Sequence, residues 1–236
     1  MCKPYSLSRV FKSEEPPVQS WYWPLVLLSS TFQLVSDVTA GKLVLLGGIE
    51  ISVSVLYFPM TYIVSDILTE VYGYERARRA LWYMLGSSIL AGVLYQAVVA
   101  LPAGPHFHEG ESYKTVLGTV PRILLAGWIA VFSGDIANNY VLSRLKIFTK
   151  GRFLWLRTIG STIIGQTVNT LVFFTGAFYG ILPQEILLLS IFWGACLKIG
   201  IEILFTPLTY MVVKAVKNHE RVDCFDIGAN YNPFRI

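Results

Sequence analysis

The sequence predicts an all-α integral membrane protein with six transmembrane helices and a short hairpin or re-entrant element between the first two. Three observations carry this reading. Of 236 residues, 54% are hydrophobic and 14% charged, where average soluble domains are roughly a quarter charged, and the mean hydropathy is +0.54. Six apolar segments, at residues 21–40, 54–73, 78–101, 115–142, 154–180 and 185–216, each approach or exceed the ~20 residues a helical span needs. The basic residues gather in alternate connections, as six crossings require.

The first twenty residues, MCKPYSLSRVFKSEEPPVQS, are polar and lack the apolar core of a signal peptide, so 1–20 is expected to be a terminal segment preceding span 1. Between spans 1 and 2 lies KLVLLGGIEISVSVLYFP, where Gly47-Gly48 separates β-branched runs and reads as a hairpin or a re-entrant element. Such backbone is tolerated at membrane depth only where protein or water covers it, so this stretch is a candidate wall for a cavity, or else an interfacial loop. Span 2 carries Asp66 and Glu70, and span 3 is nearly bare of polar groups. Span 4 carries Arg122, Asp135, Asn138 and Asn139, span 5 Gln166 and Asn169, and span 6 Lys198 and Glu202.

Orientation follows from charge. Lys3, Arg9 and Lys12 precede span 1. Arg76, Arg78 and Arg79 lie between spans 2 and 3, a group from Arg144 to Arg157 surrounds the link between spans 4 and 5, and Lys214, Lys217, Arg221 and Arg235 accompany the end of the chain. The opposite loops hold Lys42 and Lys114. The positive-inside rule then puts both termini in the cytoplasm, with 21–216 as the membrane domain, 217–236 as a cytoplasmic tail and the cell (inner) membrane as location. The net charge of +4 follows from topology and implies no nucleic-acid partner. Cys2, Cys196 and Cys224 are widely spaced and suggest neither a disulfide framework nor a zinc site. No G-x-x-x-x-G-K-[ST] sequence is present, so nucleotide hydrolysis by that route is not expected.

Charged groups in a bilayer cost several kcal/mol each, by estimates that differ widely, and persist by facing a bundle interior or by pairing. Gln33 and Asp37 on span 1 join the groups already named, so five of the six spans contribute polar side chains. A bundle built this way encloses something polar. Each residue also has a purely structural reading. Asp66 and Glu70 could pair with Arg76 or Arg79, Lys198 and Glu202 with each other at i,i+4, and Gln166 and Asn169 could be interhelical glue. Arg122, without an acid in the adjacent turn, needs a partner on another helix or a ligand. Asp135 and Asn138 read as structural. Tyr57, Phe58, Trp128 and Trp193 are the aromatic residues placed to line a cavity rather than to anchor at an interface.

These residues resemble the queuosine precursor transporters (the VUT or YhhQ family), whose fold is akin to vitamin-binding S components. The likeness runs from about residue 31 to 213. Its strongest piece is Pro59-x6-Asp66-x3-Glu70-x-Tyr72-Gly73 followed by Arg76–Arg79, supported by Pro121-Arg122-Ile123, by STIIGQTVNTLVFF at 161–174 and by LKIGIEILFTPLTY at 197–210. The resemblance implies import of a 7-deazaguanine such as preQ0, preQ1 or queuine, with Asp66, Glu70, Arg122, Gln166 and Lys198 at matching motif positions. Asn169 stands where such proteins often carry Asp, and Glu202 is an acid the pattern does not anticipate.

The chemistry agrees with that implication. A deazaguanine offers N–H donors beside a carbonyl, so a carboxylate accepts from its donor edge while an amide donates and accepts. The expected substrate-binding set is therefore Gln33, Asp66, Glu70, Arg122, Gln166, Asn169, Lys198 and Glu202, with no cofactor and no metal. A related alternative is an S-component-like vitamin-binding subunit working with a partner ATPase, which nothing in the sequence indicates. A membrane-embedded enzyme is the third reading: His106, His108 and Glu109 could hold a metal, but alternation in a loop lacks the H-E-x-x-H helix spacing.

Overall fold

The computed structural model describes residues 3–4, 21–40, 42–46, 49–118, 121–181 and 183–235. In chain order its elements are β1 (Lys3–Pro4), α1 (Tyr22–Thr39), β2 (Leu43–Leu46), β3 (Ile49–Ser52), a 3-10 turn (Val53–Leu56), α2 (Pro59–Tyr72), α3 (Tyr74–Ala100), α4 (Gly110–Leu117), α5 (Pro121–Phe148), α6 (Leu154–Phe178), α7 (Gln184–Glu220) and β4 (Val222–Asp223). The six long helices follow the six apolar segments in order. Three segments, Tyr74–Ala100, Gly110–Phe148 and Gln184–Glu220, are long and apolar enough to cross a membrane. Their outer faces carry Leu90, Leu94, Ile129, Leu188, Phe192 and Leu204 exposed, a surface suited to lipid. Trp193 belongs to this outer face at 60% exposure, and so does not line an interior cavity as the sequence suggested.

Span 2 departs most from expectation. Pro59, whose fixed φ favours the first helical turn, starts α2 five residues later than predicted, and Gly73 ends it. At 14 residues it is about 21 Å long, short of a ~30 Å hydrocarbon core. Apart from Met60, all its residues are buried. A helix covered on all sides is the axis of a bundle rather than one of its staves. Tyr22, Leu25, Ile63, Ile67, Val71, Ala77, Val213 and Val216 form the main apolar cluster that holds it.

Gly73 has φ +85°, a left-handed conformation that costs glycine little, and a Cβ there would meet Asp226 and Cys224. This turn lets α3 start at Tyr74, whose amide donates to Asp226 Oδ2 at 3.0 Å. The link between α5 and α6 bends through Lys150, Gly151 and Phe153, all at positive φ. α5 begins at Pro121 and ends at Phe148, six residues later than the predicted span at both ends. Arg144 and Lys146 are therefore helical residues rather than loop ones.

β2 and β3 pair antiparallel, Leu43 opposite Ser52 and Leu46 opposite Ile49, which makes the predicted element a hairpin. Its Gly47-Gly48 tip lies outside the described residues, as does residues 5–20 of the N-terminal segment. β1 pairs antiparallel with β4. Residues 222–235, read from sequence as tail, fold back on the bundle. Cys224 N–H donates to Val71 O at 3.1 Å, Arg78 donates to Asn230 O and Asn232 O at 2.7 and 2.8 Å, and Trp82 Nε1 donates to Pro233 O at 2.9 Å. Cys224 is disulfide-bonded, which the wide cysteine spacing did not signal.

Candidate functional site

The axial position of α2 decides where its polar side chains go: with neighbours on every side, they meet other helices. Asp66, 2% exposed, accepts from Asn138 Nδ2 of α5 at 2.6 Å. Ser65 and Thr69 donate to Asn139 Oδ1 at 3.0 and 2.8 Å. Tyr62, one turn before Asp66, lies in the seam between α5 and α6. That seam is narrow because Gly134 and Gly165 face each other: a Cβ on Gly134 would meet Tyr62 Oη, Asn169 Cβ and Gly165 O, and one on Gly165 would meet Asn138, Gly134 and Tyr62. Small residues let helices approach this closely.

The polar face of α6 meets α7 beside this seam. Glu202, 4% exposed, accepts from Thr162 Oγ1 at 2.6 Å and from Gln166 Nε2 at 3.1 Å. Lys198 Nζ donates to Asn169 Oδ1 at 2.9 Å and lies 4.7 Å from the centre of the Phe58 ring. Gln166, Asn138, Asn139 and Thr170 are all 0% exposed, and Asn169 is 2% exposed. Apart from Lys198, half-buried at its edge, the cluster is closed to solvent. Gln166 Oε1, Asn138 Oδ1, Asn139 Nδ2 and Thr170 Oγ1 nevertheless lack hydrogen-bond partners among the described residues. An unpaired buried polar atom costs on the order of 1–3 kcal/mol, so four in one neighbourhood mark a place where a polar partner would be stabilising.

Glu70 belongs to a second polar group, at the basic end of the bundle. Its Oε1 lies 2.8 Å from Arg157 of α6, 2.6 Å from Lys217 of α7 and 3.7 Å from Lys146 of α5. Asp223 of β4 closes the knot at 2.6 Å from Lys146 and 2.9 Å from Lys217. Burial pushes the Asp223 carboxyl upward, but Lys146 and Lys217 together outweigh it and hold the group below its ordinary range. A third group lies toward the other end, where Gln33 Nε2 donates to Asp37 Oδ1 at 2.8 Å, Ser88 donates to Asp37 Oδ2 at 2.5 Å and Trp128 Nε1 donates to Ser88 at 3.0 Å.

The residues singled out from sequence thus separate. Asp66, Gln166, Asn169, Lys198 and Glu202 converge on the closed central cluster. Glu70 sits in the ionic knot and is paired there rather than with Arg76 or Arg79. Gln33 joins Asp37, and Arg122 is exposed at the far end, donating through Nε to Gly176 O at 2.7 Å and through Nη2 to Tyr179 O at 2.8 Å. Lys198 and Glu202 are bonded to α6 rather than to each other. His106, His108 and Glu109 are exposed in the loop before α4. Tyr62 and Thr162 were missed; the signal for Tyr62 was its place one helical turn before Asp66, away from any span end. Asp135 and Asn138, read as structural, lie against the cluster.

Comparison with known proteins places this geometry in context. The family described as "Putative vitamin uptake transporter" matches residues 52–212, which contain the whole central cluster. A protein of Bacillus subtilis (strain 168) named "Probable queuosine precursor transporter" is 28% identical over 181 residues, 76% of this chain and 79% of that one. The "Queuosine precursor transporter" of Escherichia coli (strain K12) is 25% identical over 122 residues, 52% of each chain. A "Probable queuosine precursor transporter" of Haemophilus influenzae is 25% identical over 124 residues, 52% of this chain and 50% of that one. No solved structure matches the chain.

Proposed function

The chain belongs to the family described as putative vitamin uptake transporters, and from that premise we propose that it imports a queuosine precursor, a 7-deazaguanine of the kind named for its relatives. The observation that carries the proposal is the set of unpartnered atoms in the central cluster, Gln166 Oε1, Asn138 Oδ1 and Asn139 Nδ2, beside the carboxylates of Asp66 and Glu202. A flat heterocycle with N–H donors beside a carbonyl satisfies both kinds of vacancy at once. Asp66 and Glu202 accept from its donor edge, Gln166 and Asn169 flank it, Lys198 sets the local charge, and Phe58 stacks on the ring. Binding of this kind rejects analogues that leave a buried group unpaired.

Because the cluster is sealed, a substrate enters through rearrangement. The knot at Glu70 closes the basic side, and that side faces the cytoplasm by the positive-inside rule. Both termini are then cytoplasmic and the chain resides in the inner membrane. Gln33 with Asp37, and Arg122, stand on the outer side of the route, and no chemical transformation is needed.

Uptake in cells unable to make the precursor tests this. Cells expressing the chain should recover queuosine in their tRNA when fed a deazaguanine, and Glu202→Gln and Gln166→Leu should lose most of that recovery while still inserting in the membrane. Recovery equal to wild type in both variants would place the site elsewhere.

A further inference from the structure

The charges of the two buried groups do not balance in the same way. In the knot, Glu70 and Asp223 face Arg157, Lys146 and Lys217, so each acid has a cation. In the centre, three carboxylates are buried: Asp66 at 2%, Asp135 at 5% and Glu202 at 4% exposure. Among the described residues no lysine or arginine forms an ion pair with any of the three; Asp66 is bonded to Asn138, and Glu202 to Thr162 and Gln166. Tyr62 faces the same carboxylates from α2. Lys198 is the cation of this neighbourhood, and its described contacts are Asn169 and the Phe58 ring rather than an acid. α1 brings Asp37, tied to Gln33 and Ser88.

Asn138 and Gln166 each spend an N–H on a carboxylate and leave their carbonyl oxygens unpartnered at 0% exposure. These carbonyls stand beside the unpartnered donors Asn139 Nδ2 and Thr170 Oγ1, while the three carboxylates outnumber Lys198. A buried charge without a counter-charge is costly, and a ligand entering this site relieves the cost by bringing a cation with it.

We infer that the chain carries one positive charge inward with each substrate molecule. This rests on the substrate reading above. The charge has one chemistry and two sources. A neutral 7-cyano-deazaguanine travels with a proton: an O–H bond forms at one of the three carboxylates when the site faces outward, and breaks when it faces inward, releasing the proton to cytoplasmic water. A 7-aminomethyl-deazaguanine carries the charge on its own ammonium group and needs no proton.

Purified protein in proteoliposomes separates these cases. Binding is first established by thermal stabilisation with each compound. With the membrane potential clamped at zero, an inward proton gradient of one pH unit should concentrate the 7-cyano compound about tenfold, the ratio of proton activities, and leave the 7-aminomethyl compound at its external concentration. With no pH gradient, an inside-negative potential should concentrate both. Binding without response to either force overturns the inference and leaves the substrate reading standing. Stabilisation by neither compound overturns both.

Discussion

Glu70 of α2 and Arg157 of α6 form an ion pair at 2.8 Å with both side chains 1% exposed. The pair fastens the axial helix to its neighbour, and Lys217 and Lys146 extend the hold to α7 and α5. A buried pair adds little against an apolar isostere, but removing one partner leaves a charge stranded and costs about 3–5 kcal/mol. Glu70→Gln strands Arg157 and leaves Lys146 and Lys217 to share Asp223. It should lower the thermal unfolding midpoint of detergent-purified protein well below wild type, with Arg157→Met similar in direction. An unchanged midpoint in both would mean that the knot contributes no stability.

The same knot predicts a pH dependence for the C-terminal strap. The Asp223 carboxyl is held below its ordinary range by Lys146 and Lys217, against the opposing push of burial. A depressed native value contributes stability that is present above the unfolded value of about 3.9 and is lost as pH falls through the lower native value. Limited proteolysis of residues 222–235 should therefore stay slow through neutral and mildly acidic pH and accelerate below about pH 4. Asp223→Asn should be cleaved faster already at pH 7. Equal cleavage of variant and wild type at neutral pH would contradict the assignment.

Gly134 and Gly165 set the width of the seam that admits Tyr62. Gly134→Val places branched carbons where Tyr62 Oη, Asn169 and the Gly165 carbonyl already lie. Overpacking of this kind costs about 1–3 kcal/mol and should displace Tyr62 and Asn169, so ligand-induced stabilisation should fall further than the unliganded midpoint does. Gly86→Ala, where a Cβ meets nothing within 4 Å, is the control and should leave both quantities near wild type.

Arg122 holds the last carbonyls of α6 from an exposed position, the way basic side chains cap helix C-termini. Arg122→Ala should cost about 1 kcal/mol or less, the net worth of hydrogen bonds in reach of water. Ligand-induced stabilisation should persist, because the central cluster does not include this residue. Loss of ligand response in Arg122→Ala would bring the far end into the binding site.

Much of this was legible in sequence because apolar segments and basic connections are strong, local signals. Five site residues, Asp66, Gln166, Asn169, Lys198 and Glu202, stood out because polar groups are conspicuous in such segments. Which of them meet is set by tertiary packing and was not legible. Span 2 read as one crossing of many, and the axial role of α2 emerged only with its neighbours around it. The spacing of Lys198 and Glu202 suggested a mutual pair, yet α6 presents Asn169, Thr162 and Gln166 to them, and those contacts win. Residues 222–235 lack apolar periodicity, so nothing local announced that Asp226 would cap α3 or that Asp223 would complete the knot.

The most direct measurement is thermal stabilisation of the purified protein by 7-deazaguanines, with guanine and unrelated vitamins as comparisons, in wild type and in Gln166→Leu. A native-state ligand at about 100 times its Kd raises stability by about 2.7 kcal/mol. The account predicts a clear upward shift with a deazaguanine in wild type, a smaller one with guanine, and little or none in Gln166→Leu. An absent shift with every deazaguanine, or an equal shift in wild type and Gln166→Leu, would contradict a substrate site in the closed central cluster.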